Sequence, residues 1–473
     1  MRLKSVYRLL FVPFVIVLLG VLQFPKYGIQ QVEPIGPYLN GVFPEALTDS
    51  TPAPSFLSQT GAFINLETLE PSDGLIPYGL IAPFWSDGAI KTRWIAIPND
   101  GTHDSPEEQV IFDVNNSWRY PEGSVTVKHF EMNTDLTNPS ERRRLETRFV
   151  VQGPNEQFYY LTYKWNEEGT DAELLEGAET ETLAIRTANG VRFQQWQYPS
   201  QENCVDCHRA ISGSFLGPST RQFNGDFLYP ESGQVANQLA TWNNLGIFTE
   251  PISESDFDTF ITARAIDDES ATLEERALTY LDTNCAYCHR PGSIRTSSFD
   301  ARLTTPLDRS AIINGFVFNN NNIQNARVIA PGDTAKSLVY YRMRNIGNKE
   351  AMPPIAKAMI DSAGLQLMED WILSLGSGVS TEEETAIPSE LSLSIYPSPF
   401  TNQARIAYTL GSPESVTIDV FDATGRRVRQ IKQGVQSTGS HAVELTGHTL
   451  ASGTYIVRIV AGESSISKLV VRQ

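Results

Sequence analysis

Cysteine and histidine are scarce in this chain, four and six in 473 residues. Four thiols cannot supply the disulfide framework on which small secreted scaffolds depend, and at this length none is needed to build a core. Positive charge is short as well: 37 Lys and Arg stand against 55 Asp and Glu, a formal net charge of −18. That balance excludes nucleic acid and anionic membrane surfaces as partners. It suits a basic redox partner, and equally plain solubility. Long apolar runs are confined to one place. Arg2, Lys4 and Arg8 precede about 16 uncharged residues, Leu9 to Phe24, long for a signal h-region and short of a span of about 20. A signal peptide over 1–24 is expected, with a retained anchor as the alternative. It implies an exported protein with no membrane span once mature. No Ser/His/Asp arrangement, phosphate loop or paired-carboxylate signature specific enough to imply hydrolytic or nucleotide chemistry is present.

All four cysteines are spent on two copies of one pattern, Cys204-Val205-Asp206-Cys207-His208 and Cys285-Ala286-Tyr287-Cys288-His289. With histidine this rare, both CxxC pairs would be followed by His by chance roughly once in several thousand. Two thiols on one turn can add to the two vinyl groups of a haem, with the next histidine as axial ligand. Two covalent haem c groups follow, held by Cys204, Cys207, Cys285 and Cys288 with His208 and His289 on the irons. Disulfides would leave both histidines unexplained. A shared zinc would need far closer spacing than about 77 residues. Redox thiols would be set in a βαβ pattern, which neither motif has.

The chain reads as a multidomain protein: a linker over 25–58, a mainly β domain over 59–198, a first haem region over 199–272, an α-helical haem region over 273–376, a linker over 377–390 and a β region over 391–473. Lys91–Pro98, Ser124–Met132, Arg144–Gln152, Gln157–Trp165 and Arg192–Pro199 alternate polar and apolar residues between turn signals, which predicts a β-sandwich-like domain. The acidic run Thr170–Thr182 predicts a solvated loop or short helix, a calcium or partner site being the alternative. Helical spacing recurs over Gly233–Phe248, Leu273–Leu281, Ser337–Asn345 and Asp361–Gly376.

The first motif has no Met and no further His before Cys285. The candidates for its distal ligand lie upstream. His129 and Met132 differ by three on one predicted strand, so only one of them can face the haem; His103 lies in a loop, and an open iron is the alternative. Arg221, in the segment after the motif, could pair with a haem propionate.

Around the second motif, a helix, CxxCH, APGD (Ala330–Asp333), AMPPI and LxLMEDWILSL occur in an order that resembles class I cytochrome c over Leu273–Leu375. The resemblance implies a central α-helical cytochrome c-like fold with Met352 as sixth ligand. Met359 is a weaker rival, and Met343 and Met368 sit at core spacing. YPSPF (Tyr396–Phe400), VFDATGRRV (Val420–Val428), ASGTYIVRI (Ala451–Ile459) and KLVVRQ (Lys468–Gln473) resemble the type A sorting domain of the type IX secretion system. That resemblance implies an immunoglobulin-like sandwich, the type IX machinery as a partner, and export through the periplasm to the cell surface or beyond. A plain adhesion module is the competing reading. PFWSDGAIKTRWIAIP (Pro83–Pro98), YPEGSVTVKHF (Tyr120–Phe130), YPSQENCVDCH (Tyr198–His208) and YLDTNCAYCHRPG (Tyr280–Gly292) resemble a family of large exported haem-c proteins of poorly defined function. The expected function is electron transfer by a secreted or cell-surface dihaem cytochrome, to a redox protein or an extracellular acceptor. The alternatives are a peroxidase- or oxidase-like dihaem enzyme with an open first iron, and a surface-binding protein whose haems sense redox state.

Overall fold

Alternating residues with turn chemistry between them give the chain its largest sheet, an antiparallel one of six strands. A computed structural model describes residues 26–31, 53–154, 157–208, 210–213, 215–293, 298–346, 350–354, 358–377, 391–422, 426–462 and 464–473. The leader expected at 1–24, and most of the linkers expected at 25–58 and 377–390, lie outside the described residues. The chain divides into two compact units, Met1–Gly378 and Val379–Gln473.

In the first unit a small hairpin, β1 (Phe63–Asn65) and β2 (Glu70–Pro71), precedes a meander. Its strands are β3 (Ile76–Pro77), β4 (Ile90–Ala96), β5 (Val125–Asn133), β6 (Arg142–Gln152), β7 (Phe158–Trp165) and β8 (Ala172–Leu174), hydrogen-bonded in that order. A separate hairpin, β9 (Glu179–Thr187) and β10 (Gly190–Tyr198), follows. The expected strands are therefore present, as one sheet and a hairpin and not as two stacked sheets. The acidic run holds β8 and the start of β9. Ala172 there is buried against Trp165, so local charge is overridden by an apolar contact at the sheet edge.

The sheet faces differ. Val125, Val127, Phe149, Val151, Tyr163 and Trp165 line one apolar face, packed with Leu57, Phe63 and Leu75 of the preceding segment. On the opposite face, Ile95 and Val150 join the aromatic cluster of Trp118, Phe223 and Trp242. At the other end of that face, Phe130, Met132 and Leu145 pack against Leu183, Ile185 and Trp196 of the β9–β10 hairpin. Between these apolar ends the same face is polar.

The central region corrects the helical, cytochrome c-like expectation. Its helices are α1 (Gln201–Cys207), α2 (Thr220–Phe223), α3 (Gln238–Asn244), α4 (Leu273–Cys285), α5 (Leu307–Ser310), α6 (Leu338–Met343) and α7 (Ser362–Ser377), with a small hairpin of β11 (Asp226–Leu228) and β12 (Val235–Asn237). Only α4 and α7 exceed two turns. Within the expected helix Gly233–Phe248, β12 takes the first residues. Between α4 and α7 the chain is irregular because Ala311, Asn314, Asn321, Asn322 and Asn325 adopt left-handed backbone conformations, which end helices. The α4–α7 pair buries Ala277 and Leu281 against Leu367, Met368, Trp371 and Ile372. They approach closely at Gly364, where an added Cβ would fall 2.4 Å from the Tyr280 ring. Met343 and Met368 are core residues, as their spacing predicts.

The second unit is a two-sheet sandwich. β13 (Ser392–Tyr396), β14 (Gln403–Leu410) and β17 (Gly439–Thr446) form one sheet. β15 (Glu414–Asp422), β16 (Arg427–Gln436), β18 (Gly453–Ala461) and β19 (Ser464–Arg472) form the other, ordered β16-β15-β18-β19. Ile406, Tyr408, Val416, Ile418, Val457 and Ile459 fill the space between them, and the expected sandwich fits this unit.

Candidate haem-attachment sites

The first motif closes α1. Ser200 caps the helix, its hydroxyl accepting from the Asn203 amide while the Asn203 side chain accepts from the Ser200 amide. Cys204 and Cys207, three apart, share one side of a single helical turn. The amide of His208 donates to the Cys204 carbonyl at 2.9 Å and ends the helix. None of the four cysteines is in a disulfide.

The polar middle of the sheet lies under α1. Tyr160 of β7 donates its hydroxyl to the His208 carbonyl at 3.2 Å, with the two rings 5.4 Å apart. In the register of β4, β5 and β6, Arg93 is opposite Lys128 and Lys128 is opposite Arg148. Strand alternation puts all three on the face of Tyr160. Like charges directly opposite one another on neighbouring strands destabilise a sheet. Glu146, fully buried, takes Arg148 in a bidentate pair at 2.9 and 2.5 Å. Arg93 is 5% exposed, and its Nε and Nη2 are buried without a hydrogen-bond partner among the described residues. Burial raises the proton affinity of the Cys204 thiol, and the Arg148 and Lys128 cations oppose that rise. Burial, followed by the nearby Cys288, pushes Cys207 up to about 12. Both groups are thiols at neutral pH.

The second motif begins at the last residue of α4. Thr272 starts that helix with a capping box to Glu275. Its final turn is fixed by three consecutive polar residues. Asp282 Oδ2 accepts from Arg221 Nε at 2.6 Å and Oδ1 from the Leu303 amide at 3.0 Å. Thr283 Oγ1 accepts from Gln222 at 3.0 Å, and Asn284 Oδ1 from the Trp85 amide at 2.9 Å. Past the helix, the His289 amide donates to the Cys285 carbonyl at 2.8 Å. The His289 ring stacks on Phe299 at 4.4 Å. Burial, with Arg342 nearby, lowers this imidazole to about 4 and keeps it neutral, the form that binds iron.

The fold brings the two motifs together. Ser212, just past the first, donates to the Tyr287 carbonyl inside the second at 2.6 Å, and Arg290 donates to the Ile211 carbonyl at 2.9 Å. A cavity of about 40 Å³ lined by Ser212, Phe215, Arg221, Tyr287 and Arg290 lies beside this junction. Among the described residues, no three His, Cys, Asp or Glu side chains converge as metal ligands. Thiols three apart and outside any disulfide, each pair followed by a histidine, fit covalently attached haem. The unsatisfied guanidinium nitrogens of Arg93 fit a group that brings negative charge.

The remaining candidates are placed as follows. His129 is fully buried on the sheet face away from α1, its Nδ1 2.8 Å from Thr147 Oγ1 and its ring edge-on to Trp165. Its Nε2 is 3.8 Å from Glu131, beyond hydrogen-bond reach. Met132 lies on the face that α1 covers, within the apolar cluster beneath the β9–β10 hairpin. His103 is buried in its loop against the Glu108 carbonyl, 2.6 Å from Nδ1. Arg221 is drawn to Asp282. The Met352 amide donates to the carbonyl of Arg342, the residue whose charge reaches His289. The Met359 and Ala358 amides both donate to buried Asp87, at 2.9 and 2.8 Å. The sequence reasoning missed the cation row and the Asp282-Thr283-Asn284 lock. The signal for the lock was three polar residues at the end of an otherwise amphipathic helix.

Comparisons with known proteins bear on the second unit. Residues 394–472 match the family model of the secretion system C-terminal sorting domain. No curated protein sequence matches the chain. Among solved structures, an endo-β-1,4-mannanase from Thermotoga petrophila is similar over 24% of this chain and 24% of its own, at 10% identity and a TM-score of 0.15. The chain thus spans about a quarter of that protein's length. The twitchin kinase region from C. elegans is similar over 85% of this chain and 100% of its own, at 10% identity and a TM-score of 0.15. Among the described residues no helix is long and apolar enough to cross a membrane. Residues 394–472 are a secretion system C-terminal sorting domain of the type IX kind, which marks the chain for export to the cell surface or the extracellular space.

Proposed function

We propose that the chain is an exported protein carrying two c-type haems, which passes electrons between them and on to a redox protein or an extracellular acceptor. The observation that carries this reading is the junction of the two CxxCH motifs, joined by the Ser212–Tyr287 and Arg290–Ile211 hydrogen bonds. Motifs about 77 residues apart in sequence need not meet; that they lie side by side supports electron passage between groups held on them. When bound, each haem supplies a reversible one-electron couple. Cys204, Cys207, Cys285 and Cys288 would hold the haems through thioether bonds, and His208 and His289 would offer their imidazoles to the irons. Met352 would supply a thioether to the second iron. Export proceeds through the periplasm, where the haems are attached, and the type IX machinery carries the product outward. Reduced-minus-oxidised spectra of the purified exported protein test the reading: two low-spin c-type haems are expected, and a preparation free of covalent haem refutes it.

A second reading has one observation in its favour. His129 is turned away from α1 and Met132 is packed in an apolar cluster, which favours a first iron open to a small ligand and a dihaem enzyme of peroxidase or oxidase type. A high-spin signal in electron paramagnetic resonance supports it, and purely low-spin iron rules it out.

A further inference from the structure

We propose that Arg93, Lys128 and Arg148 form a carboxylate-binding clamp on the sheet face beneath α1, and that it takes the propionates of the first haem. The propionate assignment rests on the dihaem reading; the clamp itself does not.

Four observations converge on it. The strand register sets three cations in one row across β4, β5 and β6, an arrangement that repels itself unless an anion lies along it. A fourth, Lys91, is on the same face and donates to the Phe84 carbonyl. The carboxylate packed among them, Glu146, is committed to Arg148 through both of its oxygens. Arg93, flanked by Tyr78, keeps two guanidinium nitrogens buried and without a hydrogen-bond partner among the described residues, although a buried charge persists only when paired. The row also lies where a ligand is due, since α1 and Tyr160 bring the first CxxCH motif onto this face. In support, burial and the neighbouring Arg93 and Arg148 push the Lys128 amine down to about 7. A carboxylate on the row reverses that push and restores the ammonium. Arg93 offers a planar fork suited to bidentate carboxylate binding, and Lys128 a point charge beside it.

The test uses the full exported protein as wild type, Arg93→Gln, Lys128→Gln and the charge-keeping Arg93→Lys. Covalent haem is counted by the pyridine haemochrome assay, both midpoint potentials are resolved by titration, and melting is followed with added sodium acetate against sodium chloride of equal ionic strength. With two haems present, the midpoint of one haem falls in Arg93→Gln and in Lys128→Gln, since a cation near the iron favours the reduced form. The other haem does not move, Arg93→Lys restores most of the loss, and acetate leaves the wild type unchanged. If acetate instead raises the wild-type melting temperature, the two Gln variants lose that rise and neither potential moves, the clamp stands and the propionate assignment is overturned. If two haems are present and the variants alter neither potential nor acetate response, the clamp is overturned. If no haem is present, the dihaem reading fails, and the acetate arm alone upholds or overturns the clamp.

Discussion

His129 shows how much depends on a single strand position. The sequence places it one residue from Lys128, and alternation sends the two side chains to opposite faces of β5. His129 is enclosed with Thr147 and Trp165, and burial lowers its proton affinity despite the nearby Glu131. The sign of its contribution follows. As pH falls through about 6.5 the unfolded chain takes up this proton while the folded chain does not, so stability declines from there toward the lower folded pKa. His129→Gln is expected to shrink the difference in urea-unfolding free energy between pH 7.5 and pH 5 and to leave the haem spectrum unchanged. An altered spectrum would make His129 a ligand after all. Asp282 poses the opposite case, since its carboxylate pairs with Arg221, whose side chain is only 15% exposed. Asp282→Ala strands that guanidinium, and a loss of about 3–5 kcal/mol is expected in denaturant unfolding; Asp282→Asn, which keeps an acceptor, loses less.

At the scale of elements, periodicity and turn chemistry made the sheet strands, α4, α7 and the C-terminal β region legible, and the resemblance to a sorting domain supplied its sandwich form. Ser200 and Thr272 cap their helices through side chains that a sequence reader can see. Thr272→Ala removes the capping box of α4 and is expected to cost about 1 kcal/mol, read as a lower melting temperature with the same folded spectrum. What could not be read was pairing. The row Arg93–Lys128–Arg148 exists only in the register of three strands, and no single strand announces it. β8 formed inside an acidic run because Ala172 and Leu174 found an edge on β7. The central region was expected to be helical because α4, α7 and the motif order were right. The Asn-rich stretch between them, with its left-handed residues, was the contrary signal, and it prevailed over the helical spacing on either side.

Across the whole molecule, two compact units carry separate tasks. The second bears the sorting domain at 394–472; a chain truncated at Ser389 is expected to remain in the cell, as immunoblots of cell and medium fractions would show. The first unit unites what the sequence divided into a β domain and two haem regions. Trp85 and Gln222 hold the end of α4, and Asp87 holds the segment at Ala358 and Met359. The meeting of the two motifs is a property of this unit, and the proposed function depends on it. The most direct measurement is the number of covalent haems per exported polypeptide in the wild type and in Cys204→Ala/Cys207→Ala and Cys285→Ala/Cys288→Ala. Two are predicted in the wild type and one in each paired variant, while a wild-type count of zero would contradict the account.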